Sequence, residues 1–185
     1  MTRLWLVRHG QTDWNLEGRF QGQADLPLNA AGRAQAQALA DQLADRGIEA
    51  IYSSDLQRAR ETAMMIARQC GLEVWLEPRL REVKLGGWEG RLVAEIQTLY
   101  PREWAERELD PLHPIAPGGE SLADVSDRVW ASVAEIIQRH PHGSVLVVSH
   151  GLALAALRCR ALGLPILEAH RLIPENAHPE SIELP

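Results

Sequence analysis

The sequence predicts an α/β fold, with a mostly parallel central sheet covered by helices on both faces: a three-layer α/β/α sandwich. Three observations carry this prediction. Short apolar runs such as Leu4–Val7 and Val145–Val148 stop abruptly at charged, Gly or Ser-His residues, as strands buried on both faces do. Longer segments with apolar residues three or four apart lie between those runs. The two kinds of segment alternate along the chain, and such alternation builds parallel sheets.

The elements follow in order. Leu4 to Val7 is the first strand, ended by Arg8-His9 and Gly10. Residues 29–46, rich in Ala, Leu and Gln, form a helix that Asn29 caps and Gly47 stops. Ala50 to Ser53 is the second strand. The next helix is capped by Ser54 or Asp55 and carries Leu56, Ala59, Ala63, Ile66 and Cys70 on one face. Val74 to Leu76 is a short third strand. Residues 79–90 read as a Gly-containing loop, followed by helical pieces at 91–99 and 101–109. Pro111 to Gly119, dense in Pro and Gly, is a loop. Ser121 caps a long helix with Leu122, Val125, Val129, Val133, Ile136 and Ile137 on its apolar face. After the Val145–Val148 strand comes a helix from Gly151 to about Leu162, and one more short strand is expected near Ile182. There is no internal repeat, low-complexity tract or long linker, so residues 1–185 are expected to form a single domain.

Composition narrows the function. Hydrophobic residues at 45% and charged residues at 24% lie in the globular range, which argues against disorder. No apolar run is long enough to cross a bilayer. The apolar stretch at the N-terminus is short and broken by charge, unlike a signal peptide, so a cytoplasmic location is expected. A net charge of −6 disfavours nucleic acid and anionic membranes as partners. The two cysteines, Cys70 and Cys159, have neither C-x-x-C nor zinc spacing. Leu76 and Pro165 stand where a C-x5-R phosphatase loop needs arginine.

In a parallel sheet, ligands bind at the carboxyl ends of strands. Three chemically loaded segments fall there: Arg8-His9, Ser53 to Arg58, and Ser149-His150. An imidazole such as His9 can attack phosphorus directly. Gly10 lets the chain turn closely and leaves room beside the ring. Arg8 offers a planar fork of donors for phosphate oxygens. Arg58, one turn into a helix, can point back over the strand end, near a helix N-terminus that itself favours anions. His150 can stabilise charge on a phosphoryl group in transfer. Glu82, in a Gly-rich loop, can protonate a leaving alcohol, with Glu89 as the competing carboxylate. Glu120 in PGGES is placed near the pocket mouth. Arg60, His113, His140, His142, His170 and His178 are expected at the surface. The tryptophans are expected in the core and pocket wall, with Trp14 and Trp88 nearest the chemistry. No H-E-x-x-H motif, paired metal-spaced aspartates or G-x-x-x-x-G-K-[ST] loop occurs, so no metal and no cofactor are expected.

Four separated motifs occur in order: LVRHGQTDWN (6–15), YSSDLQRARETA (52–63), LREVKLGGWEG (80–90) and VLVVSHG (145–151). Together they resemble the histidine phosphatase superfamily, in its phosphoglycerate-mutase-like branch, from about Thr2 to Leu164. The resemblance implies that branch's form of the sandwich. It implies His9 as the phosphorylated nucleophile, Glu82 as the proton donor, and Arg8, Arg58 and His150 as phosphate ligands. Asn15, Gln21 and Gly22 match further ligand-contacting positions, and Gly151 of Ser-His-Gly joins the phosphate-binding group. The implied function is metal-independent hydrolysis of small phosphate monoesters through a phosphohistidine, with a small phosphorylated metabolite as partner. A cofactor-dependent phosphoglycerate mutase and a non-catalytic phosphate-binding module are the alternatives. The chain lacks the long central insertion tied to mutase use of a bisphosphate primer, and the Pro-rich region after Leu164 matches no family motif. Nothing in the sequence separates a monomer from a homodimer.

Overall fold

A computed structural model describes all residues except 108, 111 and 112. Its centre is a five-stranded sheet: β1 (Thr2–Arg8), β2 (Ala50–Ser53), β3 (Val74–Leu76), β4 (Ser144–Ser149) and β5 (Pro179–Leu184). The order across the sheet is β3-β2-β4-β1-β5. All neighbours are parallel except β5, which runs antiparallel beside β1 at one edge.

Side chains alternate between the two faces, and helices cover both. Val7, Ile51, Leu146 and Val148 pack in one buried cluster with Leu39 and Leu43 of α2 (Ala30–Leu43) and Ala59, Ala63 and Ile66 of α3 (Gln57–Cys70). Leu4, Leu6, Tyr52, Val145 and Val147 belong to the opposite cluster. There they meet Val129 and Val133 of α6 (Leu122–Arg139) and Leu154 and Leu157 of α7 (Gly151–Leu162). This two-sided burial explains why β1 and β4 are continuous apolar runs. The predicted three-layer sandwich is what the structure contains.

Most boundaries fall where the sequence places them. Asn29 caps α2 by accepting from the Gly32 N–H at 2.8 Å. Ser121 and Asp124 form a reciprocal capping box on α6. The expected pieces at 91–99 and 101–109 appear as α4 (Val93–Leu99) and α5 (Pro101–Glu106), and a further one-turn helix, α1 (Asp13–Glu17), was not anticipated. Residue 108 of that second piece and residues 111 and 112 of the expected loop lie outside the described residues.

The expected cap of α3 is corrected. Leu56 takes the N-cap position without a side-chain bond, because Asp55 is turned away into an ion pair with Arg81 at 2.5 Å. Asp25, from a distant loop, instead accepts the Gln57 N–H at 2.6 Å. Its carboxylate takes up that helix end, which the sequence had suggested as an anion site. The loop at 79–90 contains two 3-10 turns, Pro78–Leu80 and Gly86–Trp88. Among the described residues no helix is long and apolar enough to cross a membrane.

Candidate active site

Register brings the three loaded segments together. Arg8 of β1 lies opposite Ser149 of β4, and Ser53 of β2 lies opposite Val148. The bonding continues past the strand ends, with His9 N donating to Ser149 O and Ser54 N to Val148 O, both at 3.0 Å. His9, Ser54 and His150 therefore leave the sheet side by side, at its carboxyl edge. The rings of His9 and His150 are 5.1 Å apart, and both side chains are buried.

His9 is held in one tautomer. Its Nδ1 lies 2.7 Å from the Gly10 carbonyl, which can only accept, so Nδ1 carries the proton. Nε2 is left with its lone pair, and Arg58 Nε donates to it at 3.2 Å. Burial first, then the Arg58 and Arg8 charges, hold His9 well below the ordinary imidazole pKa, so the ring is neutral.

Arg58 is fully buried. Its Nη1 and Nη2 donate to the carbonyls of Ala24 and Gly22 at 2.7 and 2.8 Å. Burial lowers its pKa to about 10, which still leaves it charged at neutral pH. Arg8 Nη1 donates to Pro174 O at 2.9 Å, while its Nε is buried with no hydrogen bond among the described residues. His150 Nε2 bonds Ser54 Oγ at 2.8 Å, and its Nδ1 is likewise buried without a bond. Burial, then the charge of Arg58, pushes His150 well below the imidazole range.

Glu82 enters from the 79–90 loop. Oε1 accepts from Val83 N at 2.9 Å and Ala153 N at 3.1 Å, and Oε2 accepts from Leu152 N at 3.1 Å. The carboxylate thus rests on the first amides of α7, where the helix dipole favours negative charge. Its charge is felt by both Arg8 and Arg58.

These groups surround a cavity of about 330 Å³, lined by Arg8, His9, Asn15, Gln21, Gly22, Arg58, Glu82 and Gly151 among others. His150 joins through its contact with His9. Eight of the nine residues that the sequence assigned to the site thus line one cavity, and His150 does not line it but has its ring beside that of His9. The half-buried Arg8 and buried Arg58 guanidinium groups, two neutral imidazoles and one carboxylate gather at the carboxyl edge of the sheet.

A family model described as histidine phosphatase superfamily (branch 1) matches residues 4–184. The chain belongs to that superfamily. A curated relative from Serratia proteamaculans, named "Probable phosphoglycerate mutase GpmB", is 41% identical over 179 residues. The alignment spans 95% of this chain and 82% of the relative. A mycobacterial glucosyl-3-phosphoglycerate phosphatase, solved with VO3, superposes with a TM-score of 0.90 at 37% identity, covering 98% of this chain and 90% of that one. The alpha-ribazole phosphatase of Shigella flexneri gives 0.89 at 31%, covering 99% and 91%. The match reaches residue 184, so the segment after Leu164 belongs to the histidine phosphatase unit.

That segment also closes the histidine phosphatase site. His170 and Ile173 line the cavity, Asn176 Nδ2 donates to His9 O at 2.8 Å, and Ala177 N donates to Arg8 O at 2.9 Å. The surface expectation for His170 is thereby corrected, and His140 is half-buried with its Nε2 3.0 Å from the Tyr52 hydroxyl. Arg60, His113, His142 and His178 are exposed as expected.

Three further readings change. The space at Gly10 is filled by the backbone of Gly32, whose carbonyl oxygen would lie 2.5 Å from an added methyl. Glu89 does not line the cavity, and its Oε1 accepts from Gln23 N at 3.0 Å and Leu85 N at 3.1 Å. Trp88 lines the cavity, Trp14 does not but packs on Gly90, and Trp75, expected in the core or pocket wall, is exposed on edge strand β3. Trp104, Phe20, Arg19 and Arg107 complete the wall, and sequence reading missed them. Arg19 and Phe20 precede Gln21-Gly22 directly, a local signal that could have found them. Trp104 and Arg107 carried none. Among the described residues no group of three His, Cys, Asp or Glu is arranged to hold a metal ion.

Proposed function

We propose that this chain hydrolyses small phosphate monoesters through a phosphohistidine on His9. The observation that carries the reading is the placement of His9 Nε2: unprotonated, buried, and facing Arg58 Nε at 3.2 Å inside the cavity. A ring pinned through Nδ1 with its other lone pair aimed at cationic donors is poised for attack on an electrophilic phosphorus.

In the first step Nε2 forms a bond to phosphorus as the ester P–O bond breaks in line. Arg8, Arg58 and His150 hold the three phosphoryl oxygens. The ester enters as its monoanion, and Glu82 relays the monoanion's proton from the phosphoryl group to the departing oxygen. Oε2 is the better candidate to carry it, because one amide donates to Oε2 and two to Oε1. In the second step Glu82 takes a proton from water, the water oxygen bonds phosphorus, and the N–P bond breaks. Ester and water become alcohol and inorganic phosphate. Asn15, Gln21, Gly22 and Gly151 shape the phosphate end of the cavity.

The cavity volume suits a small metabolite. Both core clusters share one sheet, which supports a single domain over 1–185. The two free cysteines fit a reducing, cytoplasmic setting. Exposure to a ³²P-labelled monoester, followed by denaturation, tests the reading: an acid-labile, base-stable label is expected on His9. Phosphate release with no such label in rapid quenching contradicts it.

The name of the Serratia relative favours one second reading, transfer to another hydroxyl in place of water. Free phosphate from 3-phosphoglycerate is expected with or without 2,3-bisphosphoglycerate. A primer-dependent exchange of 2- and 3-isomers without phosphate release selects the mutase.

A further inference from the structure

The PGGES segment, residues 117–121, has no part in the steps above. Glu120 does not line the cavity; it faces Arg128 of α6. Arg128 Nε and Nη2 donate to Glu120 Oε1 and Oε2 at 2.8 and 2.9 Å. The remaining donors go to main-chain carbonyls. Nη1 reaches Arg79 O at 2.9 Å and Arg81 O at 2.7 Å, and Nη2 reaches Glu82 O at 2.9 Å. All five guanidinium hydrogens are therefore used. Glu120 closes the ring: its Oε2 accepts from Lys84 N at 2.8 Å, and its own N–H donates to Lys84 O at 2.9 Å. The pair is mostly buried, with side-chain exposures of 19% and 23%.

We propose that Arg128, braced by Glu120, is a positioning residue that sets the Glu82 carboxyl for proton donation. The inference rests on reading Glu82 as the acid. Residues 81–84 lie between the two 3-10 turns and have no regular element to fix them. A loop free to move would smear the carboxyl over many positions. Turning the carbonyls of residues 79, 81 and 82 onto one planar fork removes that freedom, and Gln23 Nε2 adds a second bond to Glu82 O at 3.0 Å. The carboxylate itself rests on the amides of Leu152 and Ala153 in α7. Glu82 is thus held by its backbone from α6 and by its side chain from α7. Those two helices pack on one another, and Val125, Val129 and Leu154 belong to one shared core cluster. Arginine suits the task because its fork is planar and always charged, whereas lysine has three donors on a single atom.

The test compares an alkyl phosphate, glycerol 3-phosphate, with an aryl one, p-nitrophenyl phosphate. Alkoxide is a poor leaving group and needs the proton; nitrophenolate does not. Arg128→Met is expected to lower kcat/KM, which reports only the phosphorylation step, on the alkyl ester by about 10- to 100-fold, the size of effect that a misplaced reacting group causes. On the aryl ester a loss in kcat/KM of less than about threefold is expected, because the later hydrolysis step, in which Glu82 is the base, does not enter that ratio. In a Glu82→Gln background the same change should cost no further alkyl-to-aryl discrimination, since the group it positions is gone. Equal loss on both esters, or an undiminished extra loss on top of Glu82→Gln, overturns the inference and leaves the acid reading standing. If Glu82→Gln by itself lowers kcat/KM on both esters equally, the acid reading falls first. Glu120→Gln keeps the shape while removing the bracing charge, so it serves where Arg128→Met does not fold. An unchanged alkyl-to-aryl ratio in folded Glu120→Gln also overturns the inference.

Discussion

Arg58 Nε and His9 Nε2 face one another across 3.2 Å, and the bond between them sets the resting state of the site. In the proposed mechanism this donor occupies the lone pair that attacks phosphorus until substrate arrives. Arg58 cannot swing away to release it, because both terminal nitrogens are anchored to Gly22 O and Ala24 O. An incoming phosphoryl group must therefore take over the Nε donor as it approaches the imidazole. In the proposed mechanism the same guanidinium first guards the His9 lone pair and then receives the phosphoryl charge.

His9→Ala is expected to abolish phosphate release while the chain still folds. Arg58 keeps its two carbonyl partners, so no charge is left stranded. Near-wild-type circular dichroism together with no turnover and no protein-bound phosphate is the expected result; residual turnover at a tenth of wild type or more would sink the nucleophile assignment.

Arg58→Lys retains the charge and loses the fork. One ammonium cannot hold Gly22 O, Ala24 O and a phosphoryl oxygen in their present directions. A fall in kcat of about 10²–10³ is expected, comparable to losing one charge-stabilising donor. Steady-state kinetics on p-nitrophenyl phosphate check it, and a loss below about tenfold would show that charge alone suffices.

Gly32→Ala tests the packing under the nucleophile loop. In an ordinary helix this change gains roughly 0.5–1 kcal/mol. Here the new methyl would sit 2.0 Å from Gln11 O, a backbone atom with little room to yield. The overpacking cost of about 1–3 kcal/mol wins, so the unfolding midpoint in urea should fall. A rise would mean that the Gly10–Thr12 segment is free to move off α2.

The buried imidazoles make stability depend on pH. Both His9 and His150 have folded pKa values well below the ordinary 6.5. As pH falls below about 6.5 the unfolded chain takes up protons that the folded chain refuses. Stability is therefore full above that pH and declines below it, until the folded pKa values are reached. Each group contributes at most about 1.4 kcal/mol per pH unit in that window. Thermal unfolding between pH 7.5 and 5 should show a falling midpoint in wild type and a shallower decline in His150→Gln. Parallel curves would place the acid sensitivity elsewhere.

Much of the fold was legible in the sequence because its signals are local. The apolar run Val145–Val148, the Asn29 and Ser121 caps and the alternation of periods each need only neighbouring residues. The cap of α3 was missed because its donor acceptor pair spans 32 positions, Asp25 to Gln57, and nearby Asp55 was drawn off by Arg81. His170 looked like a surface residue in a Pro-rich tail. It reaches the cavity because β5 folds back along β1 and carries the preceding segment over the mouth.

Local sequence specifies which chemical groups stand at which strand ends: Arg8-His9 after β1, Ser54 and Arg58 after β2, His150 after β4. Tertiary structure alone decided that β4 lies between β1 and β2, which brings His9 and His150 to ring contact. It also decided that Glu82 docks on α7 and that Arg128 grips the loop behind it. Strand order and loop docking are long-range choices, made where two cores of facing side chains close on one sheet, and no window of neighbouring residues records them.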